Sequence, residues 1–273
     1  MDFNVLKSEF NKIDFEDKNF KRDALWLVKE LPNTLTEEEK AKLEKELIEL
    51  KNGTPLAYLM GYVPFLNCKI SVDKSTLIPR PETELLADTL IKMFKGKKPE
   101  ILDLCAGSGC IGISLQKELN TSVLCSDINP KCVSIILKNA KENNVKIDVI
   151  QSDMFTNISK TFDLIVSNPP YIPTCEIESL DKSVKDFEPN LALDGGNDGL
   201  KFYRIIAEKA KNYLKENGIL ALEIGYNQAA DIKKLLEKNF KDIQIMKDYS
   251  KIERFILATR RWKHDWKAER TKK

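Results

Sequence analysis

The tetrapeptide Asn168-Pro169-Pro170-Tyr171 concentrates groups that can do chemistry. Two successive prolines fix the local backbone and remove two amide donors, so the carbonyls around them are left to accept. A rigid turn bearing an amide oxygen, a free carbonyl and an aromatic ring suits a planar –NH2 group. Asn168 Oδ1 and the Pro169 carbonyl each take one N–H, and Tyr171 packs on the flat face. Asn168, Pro169 and Tyr171 are the candidate catalytic residues, and with Pro170 they form the candidate substrate-binding segment. An amide nitrogen is a poor nucleophile, because its lone pair is delocalised to the extent that a rotation barrier of ~18–20 kcal/mol records. Holding both hydrogens fixes that nitrogen for in-line displacement, at an approach of about 3–3.5 Å. Asn168 is no base, and none is needed: an N-alkylated amide cation sheds its proton readily. The same four residues could also be a rigid loop with no catalytic part.

A second constellation runs Asp103-Leu-Cys105-Ala106-Gly107-Ser108-Gly109-Cys-Ile-Gly112. Glycines between a strand and a helix allow a tight turn and close approach of a ligand to the backbone. Asp127 ends the next strand, where a carboxylate can accept from both ribose hydroxyls. Nicotinamide dinucleotide enzymes use the same spacing, so the loop alone does not choose a cofactor. Asp103 helps: a carboxylate there repels a pyrophosphate but suits the amino and sulfonium charges of S-adenosylmethionine. No arginine lies near the loop to compensate a phosphate. A third contact is expected from Ser152-Asp153-Met154-Phe155, with Asp153 meeting the adenine amino group and Met154 or Phe155 packing on its ring.

These loops need elements to hold them. From Pro99, apolar or β-branched runs at 101–105, 122–127, 147–153, 162–168 and 218–225 alternate with helical stretches at 109–119, 130–142, 199–215 and 227–239. Strand–helix repetition implies an α/β fold, a doubly wound and mostly parallel sheet covered on both faces. The glycine loop then follows the first strand and Asn-Pro-Pro-Tyr the fourth, at the carboxyl edge where such sheets bind ligands. Runs at 242–247 and 254–260 with no helix between them predict a closing antiparallel hairpin, for seven strands in all. Upstream, residues 1 to about 60 read as helices: Ala24, Leu25, Val28 and Leu31 at helical spacing with Pro32 as a stop, then a second helix opened by Thr36 before three glutamates. Leu43, Leu47 and Leu50 continue that helix until Asn52-Gly53 ends it. Gly53-Thr54-Pro55 and Gly61-Tyr62-Val63-Pro64 are turn signals, and the alternation over 65–72 suggests a short β-hairpin connector.

The bulk numbers narrow the function classes. A net charge of +2 argues against nucleic acid as a partner of the whole molecule. The basic run RRWKHDWKAERTKK reads as a solvated tail or as a weak electrostatic handle for an RNA-associated partner. It holds His264, the only histidine, so imidazole-based catalysis is not expected. The cysteines (68, 105, 110, 125, 132, 175) form no Cys-x-x-Cys pair, so no metal site is expected and they read as buried small residues in a reducing cytosol. No apolar run reaches the roughly 18 residues of a membrane span, and the amino-terminal stretch lacks the apolar core of a signal peptide.

Several segments together resemble the release-factor glutamine methyltransferases of the HemK/PrmC type. They are Gly53-Thr-Pro-Leu-Ala-Tyr58 with Gly61, Leu77-Ile-Pro-Arg-Pro-Glu-Thr-Glu84, the glycine loop, 168–172, Glu188-Pro-Asn-Leu-Ala-Leu-Asp-Gly-Gly-Asn-Asp-Gly-Leu200 with Tyr203-Arg204, and Leu222-Glu-Ile-Gly-Tyr-Asn-Gln228. Asn-Pro-Pro-Tyr is shared with methyltransferases acting on nucleobase amino groups, which makes an rRNA or DNA amino methyltransferase the alternative. The segment around Arg80 and the Asp-Gly-Gly-x-Asp-Gly-Leu stretch are far more specific. The resemblance implies a seven-stranded methyltransferase sheet with a small helical domain, and S-adenosylmethionine as cofactor. It implies as substrate the glutamine of the Gly-Gly-Gln motif in bacterial-type release factors. It places cofactor contacts at Cys105, Ala106, Gly107, Ser108, Gly109, Asp127 and Asn168, and the glutamine at 168–171. Cys105 stands where relatives commonly have glycine, and Met154 where they often have a larger aromatic residue. The implied division is a helical docking domain with its connector at 1–76 and the transfer domain with its basic tail at 77–273. A cytoplasmic monomer is expected, without membrane or direct nucleic-acid contact. Arg80, Glu82 and Glu84 read equally as an interdomain ion-pair cluster or as substrate contacts; Asp194, Asp198 and Arg204 could simply brace loops.

Overall fold

A computed structural model of the chain describes residues 18–29, 35–240 and 242–259. Leu31, Pro32, His264 and the basic tail lie outside the described residues. Helix α1 (Lys18–Lys29) buries Ala24, Leu27 and Val28, and α2 (Glu37–Lys51) answers with Leu43 and Leu50. Thr36 caps α2 reciprocally: its side chain accepts from the Glu39 N–H while the Glu39 carboxylate accepts from the Thr36 N–H. A one-turn helix α3 (Leu56–Met60) completes this small core with Leu56, Leu59 and Met60, and ends on Gly61 in the left-handed region at φ +73°.

The hairpin is β1 (Tyr62–Phe65) against β2 (Cys68–Ser71), antiparallel, with Val63 opposite Ile70. It begins earlier than the alternation over 65–72 suggests. Pro64 lies inside β1, and in a two-stranded ribbon a residue without an N–H is tolerated. Helix α4 (Pro81–Phe94) is an element that the sequence reading does not assign. Proline at its first position suits a helix start, and Leu86, Ala87, Leu90 and Phe94 are buried along one side.

The main sheet runs β5-β4-β3-β6-β7-β9-β8 in space. The strands are β3 (Ile101–Leu104), β4 (Val123–Asp127), β5 (Asp148–Gln151), β6 (Phe162–Ser167), β7 (Leu214–Glu223), β8 (Asp242–Lys247) and β9 (Glu253–Thr259). Strands β3 to β7 pair in parallel, and β9 inserts antiparallel between β7 and β8, which is the expected closing hairpin. Helices α5 (Cys110–Leu119) and α6 (Pro130–Glu142) fall where the spacing predicts them. Short helices α7 (Lys182–Lys185) and α8 (Asn190–Leu193) follow β6. Helix α9 (Lys201–Lys209) gives way to a 3-10 turn at Ala210–Asn212, and β7 already begins at Leu214, so the helix expected over 199–215 is shorter and the following strand longer. Helix α10 (Ala229–Leu236) precedes β8.

Alternation splits the strand residues between two cores. Ile101, Leu164, Val166 and Ala221 join α4, α5 and the hairpin on one face; Leu102, Leu104, Ile165, Leu220 and Leu222 join α9 and α10 on the other. The hairpin therefore packs into the sheet's core, while α1 and α2 keep a separate one. Gly112 sets how closely α5 lies on the sheet: a Cβ there would meet Cys125 Sγ at 2.5 Å and Asp103 Oδ2 at 3.0 Å. Gly112→Ala should cost about 1–3 kcal/mol of stability through overpacking. Urea unfolding would register it, and an unchanged midpoint would show that the helix can lift off without penalty.

Candidate active site

The sheet reverses its winding between β3 and β6: β4 and β5 extend it to one side, and β7, β9 and β8 to the other. Loops leaving the carboxyl ends of the strands diverge at such a point and open a crevice. The glycine loop leaves β3 and Asn168 leaves β6, with Leu104 opposite Ser167. Ser167 Oγ donates to the Leu104 carbonyl at 2.6 Å and ties the two ends together. Between them opens a cavity of about 280 Å³.

One wall is the glycine loop. Gly107 has φ +56°, and a Cβ on it would meet nothing within 4 Å, so space is open for a ligand to approach its backbone. Its N–H donates to Asp127 Oδ2 at 2.8 Å, and the Asn129 N–H donates to Oδ1 at 2.9 Å. Burial raises the Asp127 carboxyl against these bonds, and lone pairs remain for hydroxyl donors. Cys105 sits at φ +60°, a region that costs a residue with a Cβ. Cys105, Ala106, Gly107, Ser108 and Asp127 all line the cavity. Gly109 does not: at φ +77° it caps α5, and a Cβ there would press on Ile136 at 3.1 Å. Asn139 supports the loop from below, donating to the Ser108 carbonyl at 2.9 Å and to the Ser71 carbonyl at 3.0 Å.

Asp103 is on the face covered by α5, not on the cavity wall. Its Oδ2 accepts from the Gly112 N–H at 2.8 Å and its Oδ1 has no partner. It therefore braces the helix start. Asp153 and Met154 reach the cavity, whereas Phe155 is buried in the core, stacked on Tyr213 at 4.7 Å between centroids. Met154 is thus the residue of that pair left to pack on a ring.

Asn168 and Pro170 face the same cavity. Among the described residues no N–H is bonded to the Pro169 carbonyl, although the Pro169 ring is buried and not part of the wall. Tyr171 is not on this wall either. It lines a neighbouring groove with Tyr226 and Gln228, and its carbonyl accepts from Gln228 Nε2 at 2.9 Å. Burial pushes the Tyr171 hydroxyl up to about 12. Gly199 packs against that carbonyl, where an added Cβ would stand 2.3 Å from the oxygen. The loop is held by its backbone, which a side-chain reading of Tyr171 does not anticipate.

The remaining walls come from residues that sequence reasoning passed over as sites: Ser75, Leu77, Pro79 and Thr83 on one side, Leu191, Phe202 and Ile205 on another. Among the described residues Lys201 is the one cation on the lining. Residues around Arg80 and Asp194 bond within the chain. Arg80 pairs with the Glu188 carboxylate, which also accepts from the Ile78 N–H at 3.2 Å. Glu84 accepts from the Leu66 N–H in the hairpin turn. Asp194 accepts from Thr174 Oγ1 at 2.7 Å, and Asp198 pairs with Arg204 at the surface. Five cysteines are buried or half-buried as expected; Cys175 is exposed, because the 3-10 turn at Thr174–Ser179 lies on the surface.

The family model for the methyltransferase small domain matches residues 80–181. The chain is 41% identical over 231 residues to the release factor glutamine methyltransferase of Fusobacterium nucleatum, spanning 82% of this chain and 65% of that protein. It is 39% identical over 250 residues to that of Clostridium botulinum, spanning 88% of each, and 34% identical over 275 residues to that of Clostridium acetobutylicum, spanning 94% and 95%. The fold is similar to a crystal structure of a methyltransferase from Pyrococcus furiosus, with a TM-score of 0.57 at 16% identity over 82% of this chain and 99% of that one. It is also similar to the 16S rRNA N2 G1207 methyltransferase of T. Thermophilus in complex with AdoMet and guanosine, with a TM-score of 0.55 at 19% identity over 73% and 50% of the chains.

Two buried carboxyls beside the site give a pH signature. Burial pushes Asp103 up to about 7, against the Gly112 N–H and with the charge of Asp127. Burial likewise pushes Glu223 up to about 7. An acid raised in the folded state keeps a proton that the unfolded chain has already lost. Stability therefore falls as pH rises from the ordinary carboxyl range towards about 7. Asp103→Asn should flatten part of that fall, read as a smaller loss of Tm between about pH 5 and 7 than in the unmodified chain. An unchanged slope would acquit Asp103.

Proposed function

Because the chain belongs to the release factor glutamine methyltransferase family, we propose that it methylates the side-chain amide nitrogen of the glutamine in the Gly-Gly-Gln motif of bacterial-type peptide chain release factors, with S-adenosylmethionine as donor. The observation that carries this reading is the placement of Asn168 and the Gly107 loop on one cavity, across the switch point from each other.

The wall suits that donor. Gly107 offers open backbone, Asp127 a carboxylate for a ribose, and Ile128 with Met154 an apolar slot for a flat ring. Asp127 and Asp153 share the lining with Lys201, a balance that favours a cationic ligand over a pyrophosphate. S-adenosylmethionine supplies an electrophilic methyl group on a sulfonium. The chain's own part is positioning. Asn168 Oδ1 and the Pro169 carbonyl each accept one N–H of the glutamine, which holds the nitrogen in line and out of water. Leu77, Pro79, Phe202 and Ile205 keep the crevice dry, so dispersing the cofactor's positive charge is not opposed by ordered solvent. The product's extra proton leaves to solvent without a base. Tyr171 serves through its carbonyl, anchoring the turn to Gln228.

The division at 1–76 and 77–273 assigns release-factor docking to the helices that keep their own core, and transfer to the sheet. The protein acts as a cytoplasmic monomer; no helix among the described residues is long and apolar enough to cross a membrane.

Mass spectrometry of a release factor coexpressed with the chain should find one added methyl on the Gly-Gly-Gln glutamine; transfer to rRNA or DNA with none to the protein would overturn the reading. Asn168→Ala should lower turnover by a factor on the order of 100 or more while leaving the fold intact. Full activity in that variant would end the positioning role. Asp127→Ala should weaken S-adenosylhomocysteine binding in calorimetry by roughly tenfold or more, and an unaltered Kd would refute the ribose assignment.

A further inference from the structure

An asparagine amide presents an acceptor on one side and a donor on the other, and turning it over exchanges the two at little steric cost. Only its neighbours decide which atom faces the cavity. Strands β6 and β7 run parallel with Ser167 opposite Leu222, so the residues that follow, Asn168 and Glu223, leave the sheet side by side on the face covered by α4. Thr83 comes down from the first turn of α4 onto the same spot and is only 3% exposed. Asn168 Nδ2 donates to Thr83 Oγ1 at 3.4 Å. A hydroxyl has one hydrogen, and with its oxygen accepting from Asn168 that hydrogen is free for Glu223, which leaves the neighbouring strand beside Asn168 and whose carboxyl Thr83 and Asn168 both draw down. Glu223 is itself 3% exposed, a costly place for a carboxyl that binds nothing.

We infer that Thr83 and Glu223 are positioning residues: a one-way chain from Asn168 Nδ2 through the Thr83 hydroxyl to the Glu223 carboxylate turns Asn168 Oδ1 into the cavity. The polarity follows from the last member, because an ionised carboxylate only accepts. The consequence is selectivity for an N–H donor. A glutamine amide is received, and a side chain ending in carboxylate meets an oxygen. The inference rests on the reading of Asn168 as the holder of the substrate amide.

Ionisation of Glu223 has to be secured in the test. Burial raises its carboxyl to about 7, with Thr83 and Asn168 opposing, Glu82 on α4 adding to the rise and Arg254 on β9 countering it; Tyr171, Tyr203 and Cys110 are the other titratable neighbours. Assays at about pH 8.5 keep it charged.

Steady-state kinetics on a purified release factor would compare the unmodified chain with Thr83→Val, Thr83→Ser and Glu223→Gln, with S-adenosylhomocysteine affinity as the check on folding. Thr83→Val breaks the chain and should lower kcat roughly 10- to 100-fold, with KM and cofactor affinity held. Thr83→Ser keeps the hydroxyl and should restore kcat. Glu223→Gln can donate as well as accept, so it should lower kcat without lowering cofactor affinity. Thr83→Val with unchanged kcat, or Thr83→Ser falling as far as Thr83→Val, overturns the inference. If Thr83→Val fails to fold, unchanged kcat in Glu223→Gln overturns it instead. Absence of label on the release factor with the unmodified chain defeats the underlying reading; the same variants would then be compared on whichever amino group is labelled.

Discussion

The parallel register of β6 with its neighbours governs most of this molecule. Leu104 faces Ser167 on one side and Leu222 faces it on the other, so three chain segments leave the sheet at one level. The glycine loop, Asn168 and Glu223 are the next residues out. A slip of one residue in β6 would send Asn168 to the α9 face and Ser167 to the α4 face, since side chains alternate. The hydroxyl of Ser167 on the Leu104 carbonyl opposes such a slip at the point where it would matter. The site is thus a property of strand pairing first and of side chains second.

That arrangement is costly. Asp103 and Glu223 are both buried on the α4–α5 face, and each has one oxygen without a partner. Packing alone would favour apolar residues there. Asp103 recovers part of the cost by bonding the Gly112 N–H at the start of α5, and Glu223 by receiving Thr83. Two left-handed residues with side chains, Cys105 and Met154, flank the same cavity with their sulfurs 3.7 Å apart. Strain and buried charge gather where the cavity opens, and the fold elsewhere must over-determine them.

The sheet was legible in the sequence because its signal is local. Apolar runs bounded by glycines and helices of regular period name their own element, and their alternation implies a mostly parallel sheet. The glycine loop, Asp127 and Asn168 were legible for a related reason: their residue types are unusual for ordinary strand ends. Helix α4 was not assigned, since Pro79-Arg80-Pro81 reads as a rigid turn until Pro81 is seen at a helix's first position. The longer β7 was missed because Leu214-Lys-Glu-Asn-Gly218 is polar where it runs past Phe162. The chemistry of Tyr171 is in its side chain and suggests a ring contact, whereas the fold uses its carbonyl.

Thr83 and Glu223 show the limit of such reading most clearly. They are 140 positions apart in the chain, and the segments that hold them, 77–84 and 222–228, carry a family resemblance without revealing that the two residues meet. A glutamate closing the run Ile219-Leu-Ala-Leu222 was the available signal, because an acid at the end of a fully buried strand is too costly to be incidental. What it partners is set by α4, the element that sequence alone left unassigned. Arg80 is the N-cap of the same helix, and its pairing with Glu188 links the helix to the wall around Leu191. Anything that shifts α4 must therefore move both the backing of Asn168 and one side of the cavity, so the mouth and the orienting contacts of the site are mechanically one unit.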